Sequence, residues 1–422
     1  MPLKLTPAQF QEASTLLVDV LQFSAPADAL LSSHFRRNPK LGSHDRAHIA
    51  DCIYGVLRRL LALRWLAPDA TPRQLLLLWL ARFQGISLRE LEPLAREKDR
   101  IKLAEAKAKS LDDAPLAVHA ELPDWVVESL HGSLDDAAIL TLGRALQQPA
   151  PLDLRVNIQK TSRETVLAKL AEAGIEAMPT PYSPWGVRIA SPFDLSRHPL
   201  FKEGLVEVQD EGSQLLALLT GARRGEMVAD LCAGAGGKTL ALGAAMASSG
   251  RLYAFDINEK RLSRLSPRLK RSGLSNVTAQ VIANENDTRL KRLAGKLDRV
   301  LIDAPCSGLG TLRRNPDLKF RQSPETLASL ARTQASLIRA GAKLIKPGGR
   351  LVYATCSLLP AENQAIVQDF LGEHPEFRQL PANEVLAAAR INLDTGEYLQ
   401  MNPAVHGTDG FFAAILEKHS PT

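Results

Sequence analysis

Three of the four cysteines stand just beyond short apolar runs: Cys232 after MVADL, Cys306 after DRVLIDAP and Cys356 after RLVYAT. A thiol is inert while protonated and becomes a nucleophile where its surroundings favour the thiolate. One such cysteine reads most simply as a small buried hydrophobe. Three at the carboxyl ends of predicted strands read differently, because ligands of open α/β sheets bind in the crevice outside those ends. The three are expected to converge on one cleft. With no CxxC pair, the cysteines predict neither a disulfide scaffold nor a metal site.

The first of these cysteines lies inside DLCAGAGGKT (Asp230 to Thr239), a loop suited to holding a ligand against bare backbone. A P-loop, G-x-x-x-x-G-K-[ST], needs glycine where Cys232 stands, and the dinucleotide fingerprint G-x-G-x-x-G needs one at Thr239. A third reading is a nucleoside loop, which requires an acidic residue at the end of the next strand to accept the ribose hydroxyls. Asp256, closing RLYAFD, has that place, although it would serve equally to cap the helix that follows. The loop by itself leaves all three readings open.

The elements that must position these residues alternate from about residue 208 onward. MVADL, RLYAFD, VTAQVI, DRVLIDAP and RLVYATCS are predicted strands, and TLASLARTQASLIRAGAKLI is a predicted helix. That alternation predicts a mostly parallel sheet with helices on both faces, and FFAAIL adds a late antiparallel strand. Residues 5 to 145 are helical by periodicity, with Thr71-Pro72 opening QLLLLWLARF as cap and first helical position. Between them PLDLRVNI and GVRIA read as strands, and Thr161 with Glu164 as a capping box before TVLAKLAEAG. Three domains are expected: helical 1–145, a small α+β subdomain 146–205, and an α/β domain 206–422. Lys and Arg total 52 against 46 for Asp and Glu, a mild surplus that permits a polyanionic partner. LLLLWLA is too short to span a membrane, and the N-terminus lacks a secretory pattern. A cytoplasmic protein is expected.

DAPCSGLG (Asp303 to Gly310) and YATCSLLPAEN (Tyr353 to Asn363), with DLCAGAGGKT and GTDGFFAAILEK, resemble the Sun/RsmB-type RNA cytosine-C5 methyltransferases. The resemblance extends into VQDEGSQ and PLDLRVN. It reaches SHDRAHIADCIYGVLRRL, which is similar to the NusB-like RNA-binding domain of the bacterial 16S rRNA enzyme. It implies a Rossmann-like domain with a seven-stranded sheet and S-adenosyl-L-methionine as cofactor; a monomer without a metal is expected. It also implies Cys356 as nucleophile, Cys306 as the residue that assists adduct breakdown, and Lys238 and Asp303 beside them. The implied cofactor contacts are Cys232, Ala233, Gly234, Ala235, Gly236, Gly237, Lys238, Asp256, Asp287 and Asp303. Asp287, in ENDTRL, is also a plain helix-cap candidate. Where the family usually has Ala-Pro, this chain has Gly234-Ala235, so a less preorganised loop is expected.

The implied substrate is RNA, with 16S rRNA ahead of tRNA; a non-catalytic ribosome-assembly factor is the competing class. Arg155 and Asn157 in LRVN, and Arg313, Arg314 and Lys319 in RRNPDLKFR, are the candidate RNA contacts. Lys260, Arg264, Arg268 and Arg271 form a further basic face, read first as solvated.

Overall fold

A computed structural model describes residues 5–191 and 193–420. These divide into two compact units, one of residues 5–149 with 311–324, the other of the described residues from 150 to 310 and from 325 to 420. Among the described residues no helix is long and apolar enough to cross a membrane.

The first unit is helical. Ile49, Ile53, Val56, Leu57 and Leu60, spaced at three and four residues, lie buried in its core together with Leu76, Leu80 and Cys52. The helix Pro72–Arg82 begins as expected: Thr71 accepts from the Gln74 amide, and the Gln74 side chain accepts from the Thr71 amide. Cys52 is fully buried, and burial pushes its thiol up to about 12, which suits a packing role.

The second unit holds two sheets. Strands β1 (Leu152–Val156), β2 (Ala177–Pro179), β3 (Gly186–Ile189) and β4 (Val206–Val208) form an antiparallel sheet ordered β2-β3-β1-β4. The helix Arg163–Glu172 is capped by Ser162, which accepts from the Thr165 amide; the cap stands one residue beyond the expected Thr161, and the expected box with Glu164 does not form. The second sheet comprises β5 (Met227–Asp230), β6 (Arg251–Asp256), β7 (Val277–Val281), β8 (Leu297–Asp303), β9 (Ile345–Thr355), β10 (Phe377–Leu380), β11 (Leu399–Met401) and β12 (Phe411–Lys418). Its order is β10-β12-β9-β8-β5-β6-β7, with β11 paired to β12.

Strands β5 to β9 pair in parallel, while β12 runs antiparallel to β9, β10 and β11. The chain runs outward from β5 through β6 to β7, then returns to lay β8 on the other side of β5. Order reverses there, so the crevice beyond the ends of β5 and β8 is the favoured ligand position.

Candidate active site

The glycine loop leaves β5 at Asp230 and enters the helix Gly237–Ala245. Gly234 and Gly236 adopt φ values of +55° and +85°, which side-chain-bearing residues rarely take. At Gly236 a Cβ would also fall 2.1 Å from Leu265 Cδ1, so a larger residue would have to displace that side chain as well. Two guanidiniums hold the loop's carbonyls. Arg268 Nη1 donates to Ala235 O and Arg155 Nη1 to Gly237 O, each at 2.6 Å. Preorganisation that the missing proline would have supplied thus comes from hydrogen bonds.

Asp256 ends β6 and is 6% exposed. Its Oδ2 accepts from the Gly234 amide and its Oδ1 from the Asn258 amide, both at 2.7 Å. Each carboxylate oxygen retains a second lone pair. A buried strand-end carboxylate beside left-handed glycines is the donor and acceptor set that a ribose and an adjoining chain need, and these residues fit S-adenosylmethionine. Asp287 caps the short helix Thr288–Lys291, accepting from the Ala283 and Arg289 amides at 3.0 and 2.9 Å. Those amides hold its carboxyl below the usual range.

On the other side of the switch point, Lys238 Nζ lies 2.7 Å from Asp303 Oδ2. Burial opposes the lysine's charge, but Asp303, with a further contribution from Cys356, outweighs it and holds the ammonium above its ordinary range. Asp230 lies beneath, 1% exposed, with Thr239 Oγ1 donating to its Oδ2 at 2.7 Å.

Cys356 directly follows β9, and Cys306 stands three residues beyond β8. Their sulfurs are 3.3 Å apart and both thiols are free. The hydrogen bond to Cys356, burial and the nearby Glu362 all push the Cys306 thiol well above its ordinary value. Each of these causes favours the protonated form of Cys306. Cys232 packs instead with the cluster around Leu231, Phe255 and Ala304, where burial keeps its thiol protonated. The expected convergence thus joins two sulfurs in contact, with Cys232 an apolar wall of the glycine loop.

The expected RNA contacts are largely internal. Arg155 is 3% exposed and engaged by Gly237 and Gln209. Asn157 is buried and donates to Gly204 O and Ser272 O at 2.9 and 3.0 Å. Arg313 is buried and Arg314 half-buried. Lys319, 3% exposed, pairs with Glu121 Oε2 at 3.3 Å, so its ammonium is spent inside the helical unit rather than offered to phosphate. The basic face is split at Ser263 and Arg264 into the helices Glu259–Leu262 and Leu265–Ser272, with Pro267 in the first turn of the second. There Arg268 and Arg271 pair with Glu207, while Lys260 and Arg264 are exposed.

A sheet ordered β7-β6-β5-β8-β9-β12-β10 beside a glycine loop, with β12 antiparallel between β9 and β10, is the Rossmann-like fold of S-adenosylmethionine-dependent methyltransferases. Solved structures of similar fold include PH0851, with a TM-score of 0.82 and 24% identity, covering 99% of this chain and 100% of that one. NSun6 from Pyrococcus horikoshii, solved with SFG, gives a TM-score of 0.62 at 20% identity over 71% of this chain and 99% of that one. In sequence, residues 217–417 match the family model of the 16S rRNA methyltransferase RsmB/F, and residues 122–196 match the ferredoxin-like domain of the RsmF/B type. The probable ribosomal RNA small subunit methyltransferase B of Synechocystis is 32% identical, covering 97% of this chain and 99% of the relative. Ribosomal RNA small subunit methyltransferase B of Klebsiella pneumoniae is 34% identical over 90% and 91%. The chain belongs to the RsmB/F methyltransferase family.

Proposed function

We propose that the chain methylates C5 of cytidine in RNA, with 16S rRNA as its substrate, through a covalent bond between Cys356 and C6 of the base. The observation that carries this reading is the contact of two free thiols, 3.3 Å apart, at adjacent strand ends of a methyltransferase sheet. C5 is a poor nucleophile until a thiolate adds at C6 and makes the ring electron-rich; such covalent catalysis divides one difficult step into easier ones. S-adenosylmethionine, when bound, supplies the methyl electrophile.

Gly234 to Gly237 hold the cofactor by backbone and Asp256 by its carboxylate, with Asp287 toward the adenine end. Cys356 gives its S–H proton to solvent, its thiolate Sγ bonds to C6, and the electrons of the C5–C6 double bond move into the ring. Asp303 meets the N3/N4 edge of the base and stabilises that adduct, and Lys238 offsets negative charge beside the Cys356 sulfur. After C5 is methylated, a base takes the C5 proton, the double bond reforms, and the sulfur leaves C6. Cys306, kept as a thiol, donates its S–H to the departing Cys356 thiolate. A base attacked at C6 must leave its stack, so the substrate is a loop or opened strand.

The helical residues 1–145 and the subdomain 146–205 carry RNA to the domain 206–422, acting as a monomer in the cytoplasm. Arg314, Lys260 and Arg264 are the better remaining candidates for phosphate contact, since they keep exposed surface. Cys356→Ala is expected to abolish tritium transfer from labelled cofactor to RNA, and Cys306→Ser to accumulate a protein–RNA adduct on denaturing gels. Normal methylation by Cys356→Ala would end the reading. Bisulfite sequencing of 16S rRNA and tRNA, with and without the gene, separates the two substrates.

A further inference from the structure

The two cysteine loops share one buried acceptor. Glu362 is 0% exposed, and among the described residues no cation pairs with it. Its Oε1 accepts from the Ser307 amide at 2.8 Å and from Gln334 Nε2 at 3.0 Å. Its Oε2 accepts from Ser307 Oγ at 2.6 Å and also from Ser357 Oγ. Ser307 and Ser357 are the residues that immediately follow Cys306 and Cys356. The two hydroxyls lie 3.2 Å from each other, and Gln334 Nε2 also donates to Pro305 O, just before Cys306, at 2.9 Å. The Glu362 backbone is fixed in turn, its carbonyl accepting from Tyr353 OH at 2.6 Å.

Four donors from three segments thus converge on one carboxylate. A carboxylate only accepts, and bonds to an ionised acceptor are roughly twice as strong as neutral ones. Buried negative charge without a counter-cation is expensive, and it persists here because any apolar side chain would leave these four donors unpaired. What the charge gains is the register of the two loops, and with it the separation of the two sulfurs.

We propose that Glu362 is a positioning residue for the thiol pair, acting through Ser307 and Ser357 and touching neither substrate nor cofactor. This rests on the reading of Cys356 and Cys306 as the reacting pair. Displacement of a reacting group by about 1 Å costs on the order of 10²-fold in rate. Glu362→Ala is therefore expected to lower kcat about 10²-fold, with KM for RNA and calorimetric affinity for S-adenosylmethionine changed less than about two-fold. Glu362→Gln, which retains one acceptor, is expected to recover roughly ten-fold of that loss.

A second measurement reads geometry without turnover. Phenylarsine oxide condenses with two neighbouring thiols, forming two As–S bonds and releasing water. The wild-type pair is expected to capture it at least ten-fold more tightly than Glu362→Ala, while a monothiol reagent still titrates the cysteines of both proteins. Ser357→Ala, a milder change, is expected to weaken capture in the same direction and covers the case in which Glu362→Ala does not fold. Equal arsenical capture by wild type and variants overturns the role of Glu362, whatever the methylation assay shows. Weakened capture beside a wild type that forms no methylcytidine upholds the positioning and sinks the reaction.

Discussion

Glu121 in the helical unit and Glu362 in the sheet unit are 2% and 0% exposed, yet they solve burial in opposite ways. Glu121 accepts from the Leu61 and Ala62 amides at 3.0 Å each and from the Lys319 ammonium. Lys319 Nζ also donates to the Glu121 carbonyl at 2.8 Å. Burial pushes the Glu121 carboxyl up and the Lys319 ammonium down, and each is the other's main relief. Glu362 has only neutral donors, drawn from the residues beside two thiols. A charge answered by a charge ties two segments together; a charge answered only by oriented dipoles fixes where those dipoles, and their neighbours, must stand.

The largest effect should come from breaking the first arrangement. Removing one partner of a buried pair costs about 3–5 kcal/mol, because the other is left charged and unpaired. Lys319→Met and Glu121→Gln are each expected to lose that much in guanidinium denaturation. The double variant should return a large part of the loss, which a double-mutant cycle reads directly. Glu362→Gln strands no ion and should cost less, about 1–3 kcal/mol. Equal costs at the two sites would erase the distinction.

Asp230 sharpens it from between the extremes. Burial outweighs the Thr239 hydroxyl and pushes its carboxyl from an ordinary 3.8 up to about 7. A raised carboxyl keeps its proton in the folded chain after the unfolded chain has lost it. Folding stability therefore falls as pH rises from the unfolded value toward the folded one, and the loss is complete above about 7. Each unit of displacement corresponds to about 1.4 kcal/mol. Asp230→Asn should flatten that slope, seen as urea midpoints that differ less between pH 5 and pH 8 than in wild type. An unchanged slope would mean that this carboxylate is solvated.

What could be read from the residues alone follows the same division between local and distant partners. RLYAFD is a strand over the six residues of β6 because its pattern is local, and the glycine loop announces its backbone by its composition. The cysteine loops were legible through their neighbours in sequence. Lys319 and Arg155 were not, because charge in a sequence does not state which groups will be enclosed. The acceptor for Lys319 lies 198 residues away, and Arg155 reaches Gly237 across 82. Glu362 stood in full view within LLPAEN, but its donors Gln334 and Ser307 are 28 and 55 residues distant. A glutamate between apolar runs is the one signal that pointed to it. β2, β4 and β11 span three residues each, too short for an alternating pattern to register.

The smallest expected effect supplies the scale for the others. Thr71 caps the helix Pro72–Arg82 with an ordinary neutral hydrogen bond to the Gln74 amide, 3.4 Å long and open to solvent. Thr71→Ala should cost about 1 kcal/mol in the same denaturation experiment. Water replaces the lost acceptor there, whereas none reaches Lys319 once Glu121 is neutral. If the ratio of the two losses is near one rather than three or more, solvent enters the Glu121–Lys319 contact and the pair is not the dry tie that its geometry describes. A larger ratio locates the difference in desolvation, which is the term that Glu362 meets with dipoles alone.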